Sequence, residues 1–129
     1  ALIHAGVRIG PRVVAGDRLI CLPGAVIGAD GLSFVTAEKS GAEEVRETLG
    51  QRAGVRVQPW HRIHSLGSVE IGDDVEVGAN ACIDRGTIRN TRVGSGTKID
   101  NLVHLAHNVV VGRDCLFAAL VGIPCELKS

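Results

Sequence analysis

From Ile71 onward the apolar positions recur every six residues. Ile71, Val77 and Ile83 each open a six, and the beat resumes at Val93, Ile99, Leu105, Val111, Phe117 and Ile123. Between the two runs, four residues from Arg89 to Arg92 interrupt the count. The second position of each six is Gly, Asp, Ala or Pro. The fifth is small or branched, as at Val75, Ala81, Thr87, Thr97, Val103, Val109, Cys115, Val121 and Leu127. An earlier stretch keeps the same beat at Ile3, Ile9, Ala15, Cys21 and Ile27.

Period six suits neither a plain helix nor a plain strand. Residues six apart lie on nearly opposite faces of an α-helix, and strand alternation has period two. A short strand followed by a tight corner places both the first and the fifth position inward. Three such sides close a triangular coil of 18 residues, and successive coils pair as parallel strands about 4.8 Å apart. The pattern therefore predicts an all-β parallel β-helix of hexapeptide repeats, with Val93, Ile99, Leu105 and Val111 inward. The beat lapses between Ser33 and about Ile63, where Gly41, Gly50 and Gly54 punctuate a charged stretch. That segment, about 33–62, is predicted to be a loop insertion, because some 30 residues bury too little core for a second domain. Glu43 to Leu49 carries a weak helical signal.

Composition fits a narrow, regular interior. Of 129 residues, 45% are apolar, yet the aromatic rings are only Phe34, Trp60 and Phe117, so 17 Val, 11 Leu and 10 Ile form the core. Cores of irregular shape ordinarily use large rings to fill space. Charge balances at 14 basic against 14 acidic residues, which gives no basic excess for nucleic acid or an anionic membrane surface. Hydropathy at this level excludes a disordered chain. No apolar run approaches 18 residues, and no basic-then-apolar leader opens the sequence. The expectation is a soluble protein in the cytoplasm. Cys21, Cys82, Cys115 and Cys125 form no C-x-x-C pair and read as small hydrophobes in a reducing compartment. The chain lacks methionine, and its repeat is in phase at residue 3 and still running at Leu127. Residues 1–129 therefore read as one hexapeptide-repeat domain from inside a longer protein.

Candidate chemistry centres on the histidines. His61/His64 and His104/His107 share H-x-x-H spacing, but a zinc site needs a third ligand that the sequence does not place, so no metal and no cofactor are expected. His107 is the third residue of its six, at a corner, from which its side chain projects outward. Asp100 is the second residue of the preceding six, on the adjoining face. A base needs one imidazole nitrogen held and the other free, and Asp100 is a candidate to hold it; Asp at this position also bonds turn backbone. His104 reads as a second corner histidine with a packing role.

The run from Lys98 to Asn108, with Asp100, Asn101, His104 and His107 inside it, resembles the active-site segment of the UDP-3-O-(3-hydroxyacyl)glucosamine N-acyltransferases of lipid A biosynthesis. Ile27 to Gly31, Trp60 to Gly67 and Ile83 to Gly86 look like that family too, as does the four-residue slip after Ile88. The resemblance covers nearly all of this chain but only the middle of the family's length. It implies a left-handed β-helix and a homotrimer with active sites in clefts between subunits. The implied reaction moves a 3-hydroxyacyl group from acyl carrier protein to the 2-amine of UDP-3-O-acyl-glucosamine. His107 would be the general base, Asp100 its orienting carboxylate, and Asn101, His104 and Asn108 substrate contacts. No nucleic acid and no stable membrane insertion are implied.

The chain departs from the family at several points. Where the family usually has Ala-Gly-Ser one coil after the histidine, this sequence has Pro124-Cys125-Glu126. The N–H of Cys125 is the oxyanion donor that the alignment leaves, and Pro124 removes a parallel-strand donor. Leu32 stands where Phe is more frequent. Three other readings share the helix. A sister O-acyltransferase acting on UDP-N-acetylglucosamine would usually carry His-Asp in place of His107-Asn108. A metal-dependent hydratase would need three converging histidines. A non-catalytic trimerisation scaffold would need no site.

Overall fold

In a computed structural model, residues 1–36, 58–119 and the backbone of 122–123 are described. Each six contributes one short strand and one corner. The corner forms at the fourth position, where the backbone turns left-handed: Asp74, Asn80, Leu102, Asn108 and Asp114 have φ between 54° and 65°, and Gly6, Gly24 and Gly96 lie between 73° and 79°. Gly, Asn and Asp enter this region at low cost, which is why they populate the fourth position. Arg12, Arg18 and Leu102 do so at φ 59°, 60° and 62° with longer side chains.

The strands stack into three parallel sheets. The first sheet is β1 (Leu2–Ile3), β4 (Ile20–Cys21), β9 (Glu76–Val77), β12 (Lys98–Ile99) and β15 (Leu116–Phe117). The second is β2 (Arg8–Ile9), β5 (Val26–Ala29), β10 (Cys82–Asp84), β13 (His104–Leu105) and β16 (Gly122–Ile123). The third is β3 (Val14–Ala15), β8 (Val69–Ile71), β11 (Thr91–Val93) and β14 (Val110–Val111). Every third strand thus rejoins the same sheet one coil later, with β6 (Phe34–Val35) and β7 (His61–Arg62) of the inserted segment left out of the count. Together with the hexapeptide repeat, this is a left-handed parallel β-helix.

The core is the inside of the coil. Cys21, Ile27, Val77, Ile83 and Leu105 from first positions, and Ala25, Val75, Ala81 and Val109 from fifth positions, are fully buried. Val93, Ile99, Leu105 and Val111 are inward as predicted, none more than 3% exposed. Ile3 and Ile9, on a coil with one neighbour, are 44% and 49% exposed. Thr97 is also inward; its hydroxyl donates to Gly112 O at 3.0 Å, which removes the cost of burying it.

One detail of the repeat is corrected. The extra residues are 87–90, not 89–92. Thr91 is fully buried and occupies the fifth position, and Arg92 and Val93 lie in register with Glu70 and Ile71. Ile88, by contrast, is 81% exposed, and Thr87 is not an inward residue. Hence Lys98 pairs with Glu76, twenty-two residues back, but with Leu116, eighteen ahead.

Residues Leu32–His64 form a separate unit. In it β6 (Phe34–Val35) pairs antiparallel with β7 (His61–Arg62), and the Arg62 guanidinium lies 4.6 Å from the centroid of the Phe34 ring. Leu32, Phe34 and Trp60 line an apolar cleft of about 430 Å³. The weak helical signal at Glu43 to Leu49 lies outside the described residues.

Candidate active site

The corner after β13 carries Ala106, His107, Asn108 and Val109. Val109 is inward, and Asn108 supplies the left-handed turn at φ 65°, so His107 is thrown outward, half-buried, against the preceding coil. There it meets the four-residue interruption. Nδ1 of His107 lies 3.3 Å from Thr87 Oγ1 and 3.1 Å from Asn108 Nδ2. Asn108 is itself held: its Oδ1 accepts from the Thr87 N–H at 2.9 Å, and its N–H donates to Thr91 Oγ1 at 3.1 Å. On the other side Gly31 packs against the imidazole, and a Cβ there would come 2.7 Å from His107 Cδ2.

Asp100 stands at a different corner, following β12. It is exposed, and its Oδ1 accepts from the Asn101 N–H at 2.8 Å. Asn101 Oδ1 in turn accepts from the Ala79 N–H at 2.7 Å, tying one coil to the one before it. Among the described residues no contact within one chain joins Asp100 to His107. Asn101 and Asn108 are thus both engaged in holding corners. Cys125 lies outside the described residues.

Among the described residues, the carboxylate–imidazole pair is Asp84 with His104, at 2.7 Å from Oδ2 to Nε2. Cys82 and His104 are neighbours across adjacent coils, and strand alternation puts Asp84 on the same outer face. The Asp84 side chain is only 9% exposed, whereas that of His104 is 55% exposed. Nε2–H donates to the carboxylate, which leaves Nδ1 as the outward nitrogen. Beside it, burial and the Asp84 charge push the Cys82 thiol up from its ordinary value, so it stays protonated. Arg85 Nε donates to Gly67 O at 2.9 Å and closes the corner.

Thr87, Asp84 and Gly31 were not singled out from the sequence. Gly31 and Asp84 lie within stretches whose likeness was noted, but no residue role follows from likeness alone. Their proximity to His107 and His104 depends on coil register, which the slip sets.

The fold and the repeat make this a hexapeptide-repeat protein, and residues 90–125 match the family model of the bacterial transferase hexapeptide, six repeats. More particularly, the chain is homologous to proteins named UDP-3-O-acylglucosamine N-acyltransferase. It is 65% identical over 108 residues to that of Paracoccus denitrificans, covering 84% of this chain and 30% of the relative. The Ruegeria pomeroyi protein is 60% identical over 106 residues, 82% of this chain and 29% of its own length. The Anaeromyxobacter dehalogenans protein is 41% identical over 127 residues, 98% of this chain and 32% of the relative. The chain therefore spans about a third of the length of the curated relatives it matches. No described helix is long and apolar enough to cross a membrane.

Proposed function

We propose that this chain is the β-helical core of an N-acyltransferase of lipid A biosynthesis. It would transfer a 3-hydroxyacyl group from acyl carrier protein to the 2-amine of UDP-3-O-acyl-glucosamine in the cytoplasm. The observation that carries the reading is homology to enzymes of that name, in one case over 98% of the chain, which necessarily takes in both corners described above. Residues outside 1–129 would supply the rest of the protein.

The chemistry required is nucleophilic acyl transfer. The amine nitrogen bonds to the thioester carbonyl carbon, the C–S bond breaks, and the sulfur leaves as the carrier thiol. The amine must lose a proton; a neutral imidazole accepts it near pH 7, and the imidazolium returns it to the departing sulfur. His107, half-buried and outward, is the proposed acceptor. The oxyanion of the tetrahedral intermediate needs a backbone N–H, for which Cys125 is the proposed donor. Because Asp100 and His107 occupy different corners, Asp100 can orient His107 only if it comes from a second copy, as in a homotrimer with sites between subunits.

His107→Ala in the full-length protein is expected to lower kcat by roughly 10²–10⁴-fold. The assay is release of thiol from 3-hydroxyacyl carrier protein that depends on the glucosamine substrate. Near-normal turnover would overturn the reading of His107 whatever the fold does.

A further inference from the structure

Glycine at position 31 is not required by its own backbone. Its φ lies outside the left-handed region that Gly6, Gly24, Gly28 and Gly96 occupy, so the chain there accepts a side chain. What excludes one is space. The three atoms nearest to a Cβ at this position all belong to the His107 side chain: Cδ2 at 2.7 Å, and Cβ and Cγ at 3.2 Å each. At Gly78 and Gly94, by contrast, the nearest obstruction is the backbone of an adjoining coil, at 2.4 Å in both cases. Those two glycines serve the stacking of the helix. Gly31 makes room for an imidazole.

The segment that carries Gly31 is held in place from β10. Ile27 pairs with Ile83 but Ala29 pairs with Asp84, so Gly28 is an extra residue, at φ 89°. Beyond it the Arg85 N–H donates to Ala29 O at 2.8 Å. The Arg85 side chain, 15% exposed, brings Nη1 to 3.8 Å from Asp30 Oδ1, while its Nε donates to Gly67 O at 2.9 Å. Gly31 follows β5 and His107 follows β13, with β10 between them in the sheet. The chain after the bulge therefore spans the coil of β10 to reach the imidazole. Anchored on Arg85, this backbone is the fixed side of the contact. The imidazole, which turns about a single bond, is the side that must yield.

We infer that Gly31 is a positioning residue whose missing side chain sets the rotamer of His107, between the Ala29–Gly31 segment and the Thr87–Asn108 corner. This rests on the reading of His107 as general base. The contact is made to carbon atoms only, so it holds for either tautomer and leaves both ring nitrogens to polar partners. A misplacement of about 1 Å in such a group costs up to about 10² in rate. Gly31 acts only through the imidazole and touches no reacting atom.

The test compares Gly31→Ala, His107→Ala and the double variant in the full-length protein. Gly31→Ala is expected to lower kcat about ten- to a hundred-fold with KM for the sugar nucleotide little changed. Its crystal structure should show the imidazole turned away from Thr87 and Asn108. The double variant should match His107→Ala in turnover and in urea midpoint, because the ring that the added methyl would displace is gone. If Gly31→Ala alone does not fold, recovery of the fold in the double variant would support the inference. An imidazole that keeps its place in Gly31→Ala, or a double variant markedly slower or less stable than His107→Ala, would overturn it. An imidazole that moves while turnover stays normal would overturn instead the reading of His107 as base.

Discussion

Histidine 104 shows what a single register relation does to a residue. Read along the chain it is a polar corner residue three places before His107. Read across coils it neighbours Cys82 and reaches Asp84, and it closes a 2.7 Å bond to a carboxylate that is almost wholly buried. The cost of breaking this pair falls mainly on the carboxylate, since the imidazole is half in water. His104→Ala should therefore lower unfolding free energy by about 1–3 kcal/mol, the penalty for an orphaned buried acceptor. The double variant His104→Ala/Asp84→Ala should recover part of that loss, because neither group is then left unpaired. Urea denaturation of the four members of the cycle measures it. Strictly additive effects would mean that the pair contributes no coupling. The outward character of His107 was legible from its third position, before an inward Val109. Its neighbours were not, because Gly31 and Thr87 are 76 and 20 residues away along the chain and meet it only through stacking.

At the scale of the strand and its corner, the sequence pattern was nearly sufficient. A first-position aliphatic, a left-handed fourth position and a small fifth position specify one side of the triangle, and the inward set follows. The exception was the placement of the interruption. Counting apolar residues forwards from Ile83 puts Thr87 inside, whereas the helix places Thr91 there, where its hydroxyl can accept the Asn108 N–H at 3.1 Å. Two threonines fit one inward place by periodicity, and Thr91 takes it, paired with Val69 of the coil before. The strand β4 carries a further consequence. Cys21 is completely buried on its inner face, and burial pushes its thiol up from the ordinary value. A raised folded-state value means that the unfolded chain loses this proton first. Stability from the buried neutral thiol is thus complete below the unfolded thiol value of about 8.5 and is lost as pH rises from there towards the folded value. The difference in urea midpoint between wild type and Cys21→Ala should be larger at pH 7 than at pH 10. A difference independent of pH would show that the thiol titrates alike in both states.

For the whole molecule, stacking makes each coil depend on its neighbours, and stability accumulates as a chain of interfaces between repeats. The same regularity separates Asp100 from His107 by one side of the triangle, so the proposed catalytic pair cannot close within one copy. If the site needs both, the full-length protein must associate. Light scattering is expected to give the mass of a trimer at tens of micromolar, and a stable monomer at that concentration would argue against a shared site. The trimer was implied by family likeness alone; what the structure adds is that the two corners lie apart within one chain.

A perfectly regular coil has translational symmetry along its axis, and any corner on its wall is interchangeable with the one above. Residues 87–90 break that symmetry once between Ile71 and Phe117, and they do so one level below His107. The other corners of the wall can serve as ladder rungs, as Asn101 does for Ala79. At this one the rung is displaced: Asn108 Oδ1 accepts from the Thr87 N–H, and the Thr87 hydroxyl lies 3.3 Å from His107 Nδ1. The interruption thereby gives an otherwise uniform surface a single address. Reactivity can be localised there without any change to the pattern that folds the rest.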